Sequence, residues 1–376
     1  MQANRQTHAS REAWEEYCAS ELKGARPMLE KLGFTLDTTQ VHTGGERYLM
    51  SGHKLVLTGR RTSDNKRVVI KVSSYASGSK EIEEEHKARE VLKKINFAYR
   101  TFFVPEELLF TKKDGYTIDV TTYIEQERPF IMHELEEQFF LALRAFETQE
   151  GVHSTTNEHA ATIREAFGTM GAREYIQTFR MNMEACLAND RDNQEIAKTF
   201  AKALAFMEQH RTIIERYSGF LTHNDFVPHN LRVSGKEVYL LDYSSILFGN
   251  KYESWARFLN FMIHHNRPLE LALANYVRTN RGEEEYLSLR LMRLHIIGIL
   301  LNFYTGALGK TTGDLHKLVR LRIGFWTRVM QAILADLPVP EDVIAPFLEE
   351  QERLRSSEEK ARQKEILGLE KKVAVQ

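Results

Sequence analysis

Cysteine is nearly missing from this chain of 376 residues. Cys18 and Cys186 stand far apart with no CxxC between them, so neither a disulfide framework nor a zinc finger is expected. No sign of charge dominates either: 51 Lys plus Arg against 52 Asp plus Glu leave a net charge of −1. Without a global field, neither nucleic acid nor an anionic membrane is an expected partner. Long apolar runs are absent too. The opening MQANRQTHASREAWEEY lacks the apolar segment of a secretory signal. The most apolar helical run, Leu294 to Leu308, is short for a membrane span and contains His295 and Asn302. It is expected to be a core helix, and the protein to be cytoplasmic. Repeats and low-complexity linkers are also missing.

What is present is ordinary for a folded protein: 42% hydrophobic and 27% charged residues. The length suggests two domains or lobes. Residues 1–40 read as a helical extension. From Tyr48, YLMS, KLVLTG and RVVIKVSSY form three short β-type runs separated by turn residues, followed by a well-signed helix, Ser77 to Ile95. VPEELLF and YTIDVTTYIEQ add two strands around the turn KKDG. After that the spacing is helical, interrupted by LTHNDFVPHNLRVSGKEVYLLDYSS, Leu221 to Ser245, with a short hairpin over SGKE. The expectation is an α+β protein of two lobes: a small antiparallel sheet with one helix over 41–126 and a mainly helical lobe over 127–345. Residues 346–376 form a charged C-terminal helix or tail, expected to be solvated.

HNDFVPHN has the pattern H-x-D-x-x-x-x-N. Asp225 offers a carboxylate that can orient a hydroxyl and take its proton, and Asn230 a neutral oxygen suited to Mg²⁺. Asp242, at the end of the apolar run VYLL and before Ser244 and Ser245, fits a metal carboxylate at a sheet edge. This is the inventory of phosphoryl transfer, which works by positioning and by neutralising phosphate charge. Lys71 in VVIKVS supplies the missing cation, since a lysine in an apolar strand needs an anion nearby. In the following helix the apolar stripe Ala88, Val91, Leu92, Ile95 has Glu84 within about 30° of its centre and Glu85 about 70° away. Glu84 is therefore the expected partner of Lys71, with Glu85 second.

HNDFVPHN and LLDYSS resemble the catalytic and metal motifs of the aminoglycoside phosphotransferase and choline kinase group. FGNKYESWARF, Phe248 to Phe258, resembles that group's Gly turn and acidic residue. The resemblance implies a protein-kinase-like fold with ATP in the cleft, Asp225 as catalytic base, Asn230 and Asp242 on Mg²⁺, and Lys71 on the nucleotide phosphates. His223 would tie the loop to its surroundings. The junction TYIEQERPF implies a hinge, with Tyr123, Ile124 and Glu125 beside adenine. There is no GxGxxG, and the phosphate loop is assigned to the turn Ser51, Gly52 and His53. Glu253 replaces the usual aspartate after the Gly turn.

The expected activity is ATP- and Mg²⁺-dependent transfer to a hydroxyl of a small molecule. A nucleotide-binding scaffold without transfer is the alternative, favoured by the weak phosphate loop. A protein kinase is disfavoured because no DFG or APE follows. A zinc site at His223, Asp225 and His229 lacks a usual fourth ligand, and His264 and His265 read as a helix end. Cationic acceptors would need acidic or aromatic walls, for which Glu253, Glu283, Glu284 and Glu285 are available. The sequence leaves the oligomeric state open.

Overall fold

The structure is a computed structural model that describes residues 10–50, 52–94, 104–151, 153, 161, 166–235 and 237–366. Helix α1 (Arg11–Lys31) starts at Ser10, whose hydroxyl accepts from the Ala13 amide at 3.2 Å. Glu12 and Lys31 complement its dipole. Gly33, at φ 86°, turns the chain into β1 (Phe34–Leu36). Residues 37–54 then carry a helical turn, α2 (Arg47–Met50), before β2 (Leu55–Arg61) and β3 (Arg67–Ser73). After α3 (Ala76–Lys94) come β4 (Glu107–Lys113) and β5 (Tyr116–Thr122). Asp114 and Gly115, at φ 49° and 82°, give that hairpin the left-handed pair that a tight turn requires.

The five strands form an antiparallel sheet in the order β1-β2-β3-β5-β4. One expectation is corrected here. YLMS is not a strand: Tyr48 and Leu49 are buried side by side in α2, whereas a half-buried strand alternates. The sheet begins instead at Phe34, ahead of residue 41, and the β1–β2 connection is correspondingly long.

The second lobe holds α4 (Leu135–Glu150), α5 (Ala172–Asn189), α6 (Gln194–Gln209) and α7 (Arg211–Arg216). Four short strands follow: β6 (Phe220–His223), β7 (Leu231–Ser234), β8 (Glu237–Leu240) and β9 (Ile246–Gly249). β6 pairs with β9 and β7 with β8, both antiparallel, so the segment 224–230 is held between two small ladders. The chain continues through α8 (Glu253–Met262), α9 (Arg267–Tyr276), α10 (Glu283–Ala307), α11 (Gly313–Leu334), α12 (Glu341–Leu354) and α13 (Ser357–Ile366). The segment Glu283–Lys310, which includes α10, is long and apolar enough to cross a membrane, but 67% of its apolar window is buried inside the fold. It is the core helix of this lobe, packed on α5, α8 and α11.

A second small core joins the lobes. Ala88 and Val91 of α3 pack with Phe167, Leu221, Tyr243, Ile246 and Phe248. The C-terminal helix is not solvated as expected. Glu359 and Arg362 of α13 are buried, Glu358 accepts from the Gly45 amide at 2.9 Å, and Glu359 accepts from the Glu46 amide at 3.1 Å. Gly45 has φ 68°, the left-handed region that favours glycine, and a Cβ there would lie 2.8 Å from Arg362 Cδ, so a larger residue would have to displace side chains of α13. The last helix thus clasps the β1–β2 connection.

Candidate active site

Lys71 faces α3 from the middle of β3, between Val56 and Asp119 on the flanking strands. Its Nζ donates to both carboxylate oxygens of Glu85 at 2.5 Å. Burial raises the Glu85 pKa, but Lys71 and Lys54 lower it further, so it stays ionised. Glu85 also accepts from Arg89 at 3.2 Å, and Arg89 reaches Asp119 at 2.5 Å. Glu84 is corrected accordingly: it is exposed and pairs only loosely with Lys80, at 3.7 Å. The error has a physical cause. The stripe through Ala88 and Val91 faces the other lobe, while the sheet is met by Glu85 and Arg89, both charged. An apolar stripe cannot reveal a face that buries ion pairs.

Lys54, not singled out by sequence, is the second cation of the site. It lies 3.2 Å from Glu81, and although burial lowers its pKa, Asp242, Glu85 and Glu81 together raise it. Lys54 immediately precedes β2, where the sequence reads as turn. Gly52 adjoins the Lys54–Glu81 pair. His53 stacks on Tyr75 at 4.4 Å, and its carbonyl accepts from Ser73 Oγ. Ser51 lies outside the described residues.

Asp242 adopts φ 62°, a strained conformation for a residue with a side chain. Ser244 Oγ donates to its Oδ1 at 2.7 Å and Ser245 Oγ to its Oδ2 at 3.3 Å. Burial acts to protonate it, but Lys54 and Lys71 outweigh that and hold the carboxyl well below its usual range. His223 fixes the backbone here. Its Nδ1 accepts from the Asp225 amide at 3.2 Å, so Nε2 carries the proton and donates to the carbonyls of Leu241 (3.1 Å) and Asp242 (3.0 Å). Burial depresses the His223 pKa and keeps it neutral.

Asp225 is held from both sides. Arg257 of α8 donates to Oδ1 through Nε at 3.0 Å and lies 2.8 Å away through Nη2. Asn230 Nδ2 donates to Oδ2 at 3.0 Å and to the Asp225 carbonyl at 2.8 Å, which turns its Oδ1 away as the atom for a cation. Burial raises the Asp225 pKa, yet Arg257 brings it below the ordinary value. The side chain nevertheless keeps 38% of its surface open. Arg257 was also missed; one turn into a helix, its residue type alone gives no signal.

At the hinge, Arg67 lies over the Tyr123 ring at 3.8 Å and pairs with Glu125 at 3.1 Å. The side chains of Tyr123 and Glu125 are thus engaged with Arg67. Among the described residues no three His, Cys, Asp or Glu side chains converge on a metal position, so the zinc arrangement of His223, Asp225 and His229 is not formed.

Lys71, Lys54, Glu85, Asp225, Asn230 and Asp242 are thus in contact or within electrostatic reach of one another where the five-stranded lobe meets the helical lobe. No family model matches the chain, and no curated protein matches it by sequence. Solved structures do. An aminoglycoside phosphotransferase APH(4)-Ia variant superposes with a TM-score of 0.56 at 16% identity, over 82% of this chain and 97% of that one. The fold is that of the aminoglycoside phosphotransferases. The GDP complex of aminoglycoside 2'-phosphotransferase-IIIa gives 0.55 at 10% identity, over 85% and 98%. Macrolide 2'-phosphotransferase MphH from Brachybacterium faecium gives 0.50 at 14%, over 80% and 98%.

Proposed function

We propose that this kinase-like chain transfers the γ-phosphoryl group of ATP to a hydroxyl of a small molecule. One arrangement carries the reading: Asp225, oriented by Arg257 and Asn230, lies within electrostatic reach of Asp242, which in turn lies within reach of Lys54 and Lys71. Lys71, braced by Glu85, would bind the nucleotide phosphates, and Lys54 would reinforce it. Asp225 would orient the acceptor hydroxyl and take up its proton late in transfer, since a carboxyl with a lowered pKa is a weak base. Asn230 and Asp242 fit Mg²⁺, which commonly takes one or two protein oxygens and leaves the rest to phosphates. When bound, the ion would neutralise phosphate charge. Backbone at Tyr123, Ile124 and Glu125 would meet the base.

A structure with this fold is a ternary complex with ADP and hygromycin B, which supports nucleotide and small-molecule acceptor sharing one cleft. The test is Mg²⁺-dependent ATP turnover by the purified chain against a panel of small alcohols, compared with Asp225→Asn. Equal turnover in that variant would remove Asp225 from its role. The scaffold reading keeps one point in its favour, the clasp of α13 on residues 45–46. It requires nucleotide binding without turnover, which the same assay separates.

A further inference from the structure

Lys71 has two carboxylates near it and bonds to one. Its cross-strand neighbour on β5 is Asp119. Residues directly opposite in an antiparallel pair project from the same face, with Cβ atoms about 5 Å apart. Lys71 nevertheless gives its hydrogen bonds to the two oxygens of Glu85 on α3. Asp119 Oδ1 is left buried, without a hydrogen-bond partner among the described residues. Such an atom carries the full penalty of its lost hydration. An ammonium on a flexible four-carbon stem is well suited to relieve it, so the pairing with Glu85 needs a cause.

Arg89 supplies one. It lies one helical turn after Glu85, is 3% exposed, and spreads its guanidinium over three carboxylates. Nη1 donates to Glu85 Oε1 at 3.2 Å and Nη2 to Asp119 Oδ2 at 2.5 Å. Nε and Nη2 donate to Glu107 Oε2 at 3.2 and 2.9 Å. The planar fork fixes these acceptors relative to one another, which a lysine at this position could not do. Glu85 and Asp119 are thereby held on different nitrogens of one side chain.

The two carboxylates do not serve the site equally. Lys54 and Asp242 are among the charges that act on Glu85, so a lysine bonded there stays with the groups of the proposed phosphate site. Burial raises the Asp119 pKa, and the leading charges acting on it are Arg89, Glu85 and Lys71, members of the network itself. A lysine bonded to Asp119 would have its ammonium over the neighbouring strand.

We infer that Arg89 is a positioning residue: by occupying Asp119 and bracing Glu85, it keeps the Lys71 ammonium on Glu85, where it meets the nucleotide phosphates. That Lys71 meets phosphate rests on the phosphotransfer reading. The choice between the two carboxylates does not.

The test measures Mg²⁺–AMP-PNP binding to the full chain by calorimetry. Arg89→Met should weaken it by about tenfold or more, the size of one lost charge-assisted contact. Arg89→Lys, which keeps the charge but not the fork, should weaken it as well. Adding Asp119→Asn to either variant should recover most of the loss, because the competing carboxylate has gone. A network that only fastens α3 to the sheet predicts the reverse, a loss deepened by the second change. Where Arg89→Met does not fold, the Arg89→Lys pair decides. Urea midpoints give a readout without nucleotide: the coupling between Lys71→Met and Asp119→Asn should be larger in Arg89→Lys than in the wild type. Wild-type AMP-PNP affinity in the Arg89 variants, a loss that Asp119→Asn does not relieve, or a coupling unchanged by Arg89→Lys overturns the inference. If the wild type binds no AMP-PNP, the phosphotransfer reading falls, and the coupling alone decides what holds Lys71.

Discussion

Arg257 Nη2 lies 2.8 Å from Asp225 Oδ1, while Asn230 Nδ2 lies 3.0 Å from Oδ2. The two oxygens of the proposed base are thus fixed by different elements, helix α8 and the loop itself. Asp225→Asn should lower turnover by about 10²- to 10⁴-fold. Its amide occupies the same volume and Asp242 is untouched, so the AMP-PNP dissociation constant should stay near wild type. A parallel loss of nucleotide affinity, measured by calorimetry, would mean that Asp225 holds the nucleotide.

The same pair sets the pH response. Arg257 is the strongest influence lowering the Asp225 pKa, against burial and Asp242, which raise it. The base works deprotonated, so activity is lost as pH falls through its pKa, below the usual aspartate value. In Arg257→Met that pKa rises, and the acid limb of kcat/KM should move to higher pH. An unshifted limb in the pH–rate profile would show that Arg257 does not tune Asp225.

Glu85 and Glu84 provide a paired comparison. Glu85 is 3% exposed and compensates both Lys71 and Arg89. Glu85→Ala leaves buried cations without that partner, and removing one member of such a pair costs about 3–5 kcal/mol. Glu84→Ala should stay within about 0.5 kcal/mol, as for an ordinary surface change. Urea unfolding of the two variants measures the difference. AMP-PNP affinity should fall only in the first.

Lys54→Met should weaken Mg²⁺–AMP-PNP binding by about 10- to 100-fold, the range of a lost charge-assisted contact. Lys54 is the first-ranked opposing influence on the Asp242 carboxyl after burial. Its loss should therefore also let Asp242 take up a proton at higher pH, steepening the acid dependence of nucleotide affinity. Wild-type affinity across that range would exclude Lys54 from the site.

Much of this site was legible because the proposed phosphoryl transfer needs fixed residue types at short spacing. Asp225, Asn230 and Asp242 lie on one loop and hairpin, and local spacing carried them. Lys71 showed itself as a cation inside an alternating strand. What was not legible depends on which face of an element meets which lobe. Glu85 was hidden by an apolar stripe that serves the other lobe, and Lys54 by its place in a turn. Arg257 belongs to a helical segment whose sequence shows amphipathicity but not what the polar side faces. The strand at 34–36 was lost within an apparent helical extension, and the role of α13 depends on contacts more than three hundred residues apart.

Glu253 gives a prediction independent of activity. It is 1% exposed, its Oε2 accepts from Tyr175 Oη at 2.5 Å, and burial pushes its pKa from 4.5 up to about 7. Folding therefore favours the protonated acid. Its contribution is fully present below the unfolded pKa near 4.5 and is lost as pH rises through about 7. The difference corresponds to about 3 kcal/mol of stability across that window. Glu253→Gln keeps the shape and removes the titration. The unfolding free energy of the variant, followed by urea denaturation between pH 5 and about pH 8, should lose less with rising pH than that of the wild type. Parallel curves would show that Glu253 is ionised in the fold throughout, stabilised by a donor other than Tyr175.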